Sequence, residues 1–486
     1  MLIATLPAAH ADELADLEAN QQLLQRELEQ LAQVPDAGTK AVPGVAVTGG
    51  SFPRSFLIPG TDTSLRVGGE VRLSVDYLLT GGGQNASGLP TNTLGSTGLL
   101  ETTPLNVRGQ TVPGLGAVPA DLNASRSHFV MFVPRESRIH IETRTPTEWG
   151  EAATVFEFDF NGGNIATDPA QVSNSLIPRL RHAYATLGPW LVGQTYPFQY
   201  DISTHNETLD FGSDAGYFGP SRQPQIRFTG QLPYIAGGAF AVELDQPDTD
   251  VQTAVGKFDA DTTTAFPSTV GTKNPADGTV NPAVSPAPDL IGGLEFDRPW
   301  THMRLAAVVR DLKLNDGRFI NRQFIGYGGA LMGWTKPGWF GLQRDVIDYG
   351  FGAGDGLGRE INGSTDSGLD TNYGAFPITT ATAAKSVIAK TVTGWGGWAG
   401  YSHYWLPNLH SNFTFGIRHS DYHSTLIGPA QDIVADKQLL TAHVNLIYAP
   451  VPFADVGIEY FWGQRQVVAN LTGNISAVLT RVRMRF

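Results

Sequence analysis

The sequence predicts an all-β transmembrane barrel of about 16 antiparallel strands, preceded by a short amino-terminal α-helical coiled coil. Segments in which polar and apolar side chains alternate recur from residue 65 onward, and their connections are alternately long and short. The last segment, residues 479–486, alternates basic with mostly apolar residues and ends on Phe486. No stretch approaches the ~18–20 consecutive apolar residues of a membrane-spanning helix, which barrel strands do not need.

The first residues resemble the end of a signal peptide. Residues 1–11 are mostly apolar and finish on Ala9-His10-Ala11, an A-x-A cleavage pattern, although the usual positively charged start is missing. We interpret residues 1–11 as a signal-peptide remnant. An ordinary apolar tail is the alternative.

Residues 12–34 predict a helix. Leucines recur at a/d spacing over about three heptads, and a polar residue at one a position is a known oligomer-state device. We expect a coiled coil that gathers several copies; a single amphipathic helix on a partner surface is the alternative. The expected oligomerisation residues are Leu14, Leu17, Gln21, Leu24, Leu28 and Leu31. Proline and glycine then predict a linker over residues 35–54.

Residues 55–486 are predicted to form the barrel. In residues 65–79, Arg66, Glu70 and Arg72 share one face, and apolar side chains occupy the other. The further strand candidates are residues 138–144, 155–160, 179–187, 190–196, 225–230, 238–246, 289–297, 300–314, 322–334, 339–350, 394–405, 409–422, 437–449, 453–465 and 474–486. An even strand number is typical of bacterial outer-membrane barrels, with short turns in the periplasm and long loops outside. The amino-terminal helix would then lie in the periplasm. A soluble β-sandwich also has many strands, but rarely such long ones with alternating loop lengths.

Arginine dominates the polar face of the predicted strands. We expect these side chains to line a pore, where rings of arginine favour anions and the guanidinium group pairs with carboxylate or phosphate. Pairing with aspartate and glutamate on the same face, to hold the wall together, is the alternative. The expected pore-lining residues are Arg66, Arg72, Arg138, Arg144, Arg179, Arg181, Arg227, Arg481 and Arg483.

The segment after the fifth predicted strand, residues 198–223, is rich in acidic residues. We expect it to fold inward and narrow the pore, with its acidic side facing the basic wall. An outward loop with solvated carboxylates is the alternative. The constriction residues on this interpretation are Asp201, Glu207, Asp210, Asp214 and Arg222.

Composition argues against several other classes of protein. Cysteine is absent, which excludes disulfides and thiol catalysis, and the net charge of −13 argues against nucleic-acid binding. The sequence lacks a phosphate-binding glycine loop, an HExxH motif and a nucleophile elbow. We therefore expect no enzyme activity, no cofactor and no metal site. The acidic loop 245–261 is expected to be solvated; calcium binding through its carboxylates is the alternative.

Several motifs resemble the DcaP-type trimeric outer-membrane porin family. They are SFLIPGTDTSLRVGG at residues 55–69, RTPTEWG at 144–150, LVGQT at 191–195, RQPQIR at 222–227 and GDGLGR at 354–359. The resemblance implies a homotrimer in outer-membrane lipid and lipopolysaccharide, a periplasmic coiled coil, and passive uptake of small anionic solutes such as dicarboxylates. Tyr196 stands where the family often has tryptophan, and residues 80–134, 247–287 and 351–392 form long loops.

Two functions therefore remain open. One is a porin for passive diffusion of small hydrophilic solutes, with a preference for anions and dicarboxylates. The other is a structural or partner-binding barrel whose pore is occluded.

Overall fold

The computed structural model describes residues 49–81, 111–112, 116–117, 127–162, 177–210, 212, 214–219, 222–247, 251–253, 283–315, 321–338, 342–361, 369–371, 389–422 and 435–486. The expected signal remnant, the helix over residues 12–34 with its oligomerisation leucines, and most of the linker lie outside these residues. No helix in the described part of the chain is long and apolar enough to span a membrane.

Sixteen antiparallel strands close into one barrel, as predicted. They are β1 (Ser64–Thr80), β2 (in two pieces, Phe129–Val133 and Arg138–Thr147), β3 (Gly150–Gly162), β4 (Ile177–Leu187), β5 (Trp190–Thr195), β6 (Gln223–Gln231), β7 (Gly238–Asp245), β8 (Asp289–Arg298), β9 (Thr301–Asn315), β10 (Asn321–Thr335), β11 (Val346–Asp355), β12 (Thr393–Leu406), β13 (Leu409–Asp421), β14 (Asp436–Val451), β15 (Ala454–Val467) and β16 (Thr472–Arg485). Each strand pairs with the next, and β16 pairs with β1 to close the barrel.

Several short elements accompany the barrel strands. Phe56–Leu57 pairs with the start of β1, and Ala283–Val284 pairs with the end of β9. The pieces Thr111–Val112 and Gly116–Ala117 form a two-stranded ribbon, and Val251–Thr253, Leu369–Thr371 and Ala389–Thr391 form a small sheet. Two short 3-10 turns cover Ile202–Thr204 and Gly358–Glu360.

The two largest differences from the predicted strand boundaries are at the starts of β2 and β11. Phe129–Val133, predicted to be loop, pairs with the outer half of β1 and extends β2. Pro134 follows this piece and has no amide hydrogen for the ladder, which accounts for the break before Arg138. The strand predicted from residue 339 begins only at Val346, after a turn in which the Asp345 amide donates to the Leu342 carbonyl.

The connections between strands mostly alternate between short and long, as predicted. Short turns join β2 to β3, β4 to β5 and β14 to β15, whereas residues 81–128, 246–288 and 356–392 separate strands at the other end. The connections from β9 to β10 and from β15 to β16 are exceptions, because they are short although they lie at the end with the long loops. The alternation of loop lengths is therefore approximate.

The two faces of the wall differ in chemistry, as alternation requires. Large apolar side chains such as Val71, Phe132 and Met484 are more than half exposed on the outer face, where lipid would cover them. Inside, apolar packing occurs where the segment after β5 meets the wall. Leu209 lies in one cluster with Phe461, and Tyr217 and Phe218 lie in another with Trp398.

Candidate pore constriction

The segment over residues 196–222, here called the inward segment, crosses the lumen. It starts at the end of β5, and Asn206 Nδ2 donates to the carbonyl of Phe413 on β13, which is half-way around the barrel. Farther along, the Leu209 amide donates to Glu459 on β15 at 2.7 Å, and the Ala215 amide donates to Thr441 on β14 at 3.0 Å. The chain then returns, and the Gly219 amide donates to the carbonyl of Glu360 at 2.5 Å.

Carboxylates of the inward segment fasten it to the wall. Asp201 Oδ2 lies 2.5 Å from His302 Nε2 and 3.4 Å from Arg304. Glu207 Oε1 lies 2.7 Å from Arg481 and 2.6 Å from Arg483.

Two further acidic residues of this segment are also bonded. Asp214 accepts from Thr441 and Tyr217, each at 3.1 Å, and from Thr414. Asp210 accepts from the Gly212 amide at 3.1 Å. Carboxylates that face a basic wall across a gap were expected; Asp201, Glu207 and Asp214 instead contact the wall directly and act as anchors.

The surroundings of Asp201 and Glu207 favour the charged forms of these two anchors, whereas burial raises the pKa of the third, Asp214. Burial alone would raise the pKa of Asp201, but the hydrogen bond from His302 and the charge of Arg304 more than offset it and lower that pKa. Burial acts in the same way on Glu207, where His410, Arg481 and Arg483 lower the pKa overall. The aromatic neighbour His205 is different, because burial lowers its pKa to about 3 and keeps it neutral at ordinary pH.

One side of the inward segment borders a cavity of about 680 Å³ rich in arginine. The arginines that line it are Arg72, Arg138, Arg179, Arg181, Arg222, Arg481, Arg483 and Arg485. Six of these were expected from the wall and one, Arg222, from the inward segment. The eighth, Arg485, continues the period-two run of Arg481 and Arg483, whose arginines the sequence places on the pore wall.

Three of the expected pore residues lie elsewhere in the barrel. Arg66 and Arg144 share Glu142 at 2.6 and 2.7 Å, on the part of β1 and β2 nearest the short turns. Arg227 on β6 lies 3.5 Å from Glu243. None of the three lines the cavity. The alternation of polar and apolar residues predicted the correct face of the wall for these three side chains. It could not predict their position along the pore axis.

Most arginines of the cavity are paired with carboxylates that do not line it. Arg72 lies 2.6 Å from Glu136, and Arg179 lies 2.6 Å from Asp159. Asp455 alone is contacted by Arg481, Arg483 and Arg485, at 3.0, 2.8 and 2.9 Å. These arginines therefore form ion pairs within the wall, which was the alternative considered for them, and they also line the cavity.

Glu207 and Asp210 are the carboxylate residues among the described residues lining the cavity. The eight guanidinium groups of the lining therefore outnumber its carboxylates, and the surface offered to a solute is cationic.

Arg222 differs from the other lining arginines. Its guanidinium lies 5.1 Å from the centre of the Tyr196 ring and donates to the Tyr196 hydroxyl at 3.3 Å. No carboxylate in the described part of the chain lies within ion-pair distance of it. Burial, followed by the charge of Arg181, lowers the pKa of Arg222, as expected for a cation in cationic surroundings. Its charge is the least neutralised in the cavity.

Aromatic rings line the cavity beside Arg222, a feature that sequence reasoning missed. Tyr196 and Tyr200 stack with ring centres 5.0 Å apart, and His205 stacks on Tyr217 at 3.5 Å. The spacing of aromatic residues between 196 and 217 was the available signal, but only the folded segment brings their rings together.

Comparison with known proteins connects this geometry to a family. Residues 108–258 match the sequence model of the DcaP outer membrane protein family. Among solved structures, the outer membrane channel DcaP of Acinetobacter baumannii superposes with a TM-score of 0.63 at 18% identity, covering 90% of this chain and 100% of that one. The resemblance to the DcaP family is confirmed. The chain is thus similar to an outer-membrane channel family and has the barrel fold of a porin or channel.

Other solved structures match this barrel less well. An anion-selective porin from Comamonas acidovorans has a TM-score of 0.47 at 11% identity, covering 87% of this chain and 100% of that one. Pseudomonas putida OprB, at high pH, has a TM-score of 0.47 at 9% identity, covering 87% and 94%. No curated protein matches the sequence.

Proposed function

We propose that this chain is an outer-membrane porin through which small hydrophilic solutes diffuse passively, with a preference for anions and dicarboxylates. The observation that carries the proposal is the cavity lined by eight arginines, among which Arg222 has no carboxylate partner in the described part of the chain. A cationic lining raises the local concentration of anions and lowers the barrier to their passage.

The arrangement suits a solute with two carboxylates. Arg72, Arg481 and Arg483 belong to the wall near the β1–β16 seam, whereas Arg222 belongs to the inward segment. Guanidinium groups bind carboxylates by two parallel hydrogen bonds, so cations from both elements can act on one dicarboxylate. The carboxylate partners of the wall arginines weaken the contacts of those arginines with a solute, which favours rapid release over tight binding.

The partners of this porin follow from its setting. We propose a homotrimer in outer-membrane lipid and lipopolysaccharide, with residues 12–34 as a periplasmic coiled coil joined through the linker 35–54. The large exposed apolar side chains of the outer face, such as Phe156 and Ile458, support contact with lipid. The heptad leucines and the family resemblance support the trimer.

An occluded barrel that binds a partner is the second candidate. The observation that favours it is the inward segment itself, which crosses the lumen and is fixed to the far wall at Phe413, Thr441 and Glu459. In that case the cavity would end blindly, and its arginines would only hold the wall together.

Planar-bilayer recording of the full-length protein separates the two candidates. If the protein is an anion-preferring porin, we expect discrete conductance steps and dose-dependent blockade of the current by succinate. Under a salt gradient, the reversal potential should shift toward the equilibrium potential of the anion. A conducting channel with clear cation preference would disprove the anion part of the proposal. Folded protein that inserts and carries no current would favour the occluded barrel.

A further inference from the structure

Residues 49–57, here called the N-terminal turn, fold against the end of the barrel with the short turns. The Gly50 amide donates to the Ser55 carbonyl at 3.0 Å, and the Ser51 amide donates to Ser64 Oγ at 2.9 Å. Phe56–Leu57 then pairs with the first residues of β1. These bonds fix the turn to the start of the wall before the barrel proper begins.

Phe52 is the residue of this turn that points into the barrel. Its side chain is only 8% exposed, and its ring centre lies 5.6 Å from the guanidinium carbon of Arg66 and 4.6 Å from that of Arg144. Arg144 shares one face of β2 with Arg138, which lines the arginine cavity. The Phe52 ring therefore lies on the lumen side of the wall.

The Phe52 ring is separated from the cavity along the pore axis. Arg144 lies six positions after Arg138 on β2, which corresponds to roughly 20 Å along the strand and, because barrel strands are tilted, to about 15 Å along the pore axis. Phe52 thus marks a second level of the lumen, nearer the periplasmic end.

Among the described residues, the two arginines at this second level have one buried carboxylate and one exposed carboxylate beside them. Arg66 and Arg144 share Glu142, and the other carboxylate near Arg144, that of Glu151, is 3.5 Å away and more than half exposed. An aromatic face accepts a cation without neutralising it. The Phe52 ring therefore covers the guanidinium groups of Arg66 and Arg144 without neutralising them.

We propose that Phe52 forms a second narrowing of the pore, at its periplasmic exit, and controls how strongly Arg66 and Arg144 act on passing anions. This inference rests on the proposed porin function. It makes the N-terminal turn part of the permeation path rather than a passive lead into the first strand.

The test uses the absence of cysteine from the chain. Phe52→Cys in the full-length protein is inserted into a planar bilayer, and a negatively charged methanethiosulfonate is added to one side and then the other. We expect the current to fall by roughly a third or more, and anion preference to decrease, because a bulky anion then occupies the exit. Modification follows insertion, so impaired folding of a truncated side chain cannot mimic the effect.

Phe56→Cys is the matched control, because Phe56 lies in the same turn and is 37% exposed. Its modification should leave the current unchanged. A second variant, Phe52→Ala, should raise both conductance and anion preference. If the wild-type channel conducts but modified Phe52→Cys and Phe52→Ala both match it, this inference alone is overturned. A wild-type barrel that carries no current would overturn the porin function and this inference together.

Discussion

Arg72 on β1 stands directly opposite Arg483 on β16, at the seam where the barrel closes. Like charges at facing positions of neighbouring strands destabilise a sheet. Here both guanidinium groups are paired with carboxylates, because Arg72 lies 2.6 Å from Glu136 and Arg483 lies 2.6 Å from Glu207 and 2.8 Å from Asp455. Closure of the barrel thus brings arginines from the first and last strands together on one side of the cavity.

Neutralising Arg222 should reduce anion preference more than neutralising any paired arginine. Its charge has no carboxylate partner in the described residues, so Arg222→Gln removes a full positive charge from the lining. We expect the anion-to-cation permeability ratio to fall by about twofold or more, measured from the reversal potential. Arg227→Gln is the control, since Arg227 is inward but lies outside the cavity, 3.5 Å from Glu243. Equal shifts in the two variants would contradict this role.

Removing the charge of Glu207 should have the opposite effect. Glu207→Gln releases Arg481 and Arg483 from one of their two carboxylates, which leaves the lining more positive. We expect a higher anion-to-cation permeability ratio and stronger blockade by succinate. Glu151→Gln, at an exposed residue 3.5 Å from Arg144, is the control and should change little. A lower anion preference in Glu207→Gln would be inconsistent with the proposed lining.

The Asp201 and Glu207 anchors of the inward segment should resist mild acid. The pKa values of Asp201 and Glu207 are lowered in the folded state, so the stability that they contribute is fully present above their unfolded values near 4. That contribution is lost only as the pH falls through the lowered folded values. Open-channel current should therefore stay steady from pH 7 to about 4, as single-channel recording can show. The Glu207→Gln channel serves as the comparison. Current noise that increases near pH 6 in the wild type alone would contradict the prediction that the anchors stay charged in mild acid.

Thr441 should stabilise the position of the inward segment. Its hydroxyl accepts from the Ala215 amide at 3.0 Å and donates to Asp214 at 3.1 Å, and all three residues are buried. Thr441→Val leaves that amide without this acceptor and removes a donor to the carboxylate, a cost of about 1–3 kcal/mol for each unsatisfied group. We expect larger current fluctuations and a lower unfolding temperature on heated gels. The control Thr335→Val removes only an exposed hydroxyl that bonds the Trp300 carbonyl, and it should behave as wild type.

Much of the barrel could be predicted from alternation alone. Side chains of a strand point to opposite faces in turn, so the sequence of β1 already separates Arg72 from Val71, and the structure places them on the lumen and lipid faces. The number of strands followed from the same pattern. Phe129–Val133 escaped prediction because it is short and ends at a proline, so it could not be distinguished from a loop before its pairing with β1 was known.

The sequence by itself determined that arginines of the first and last strands face the lumen, because the period of a strand fixes the face of every side chain. Only the tertiary structure decided which of them meet. It joined Arg485 to the cavity, left Arg66, Arg144 and Arg227 outside it, and gave Asp201, Glu207 and Asp214 partners on the far wall. The physical reason is that height along the pore depends on the register between strands and on the path of the inward segment. Both arise from contacts between residues far apart in the chain, which a local pattern does not record.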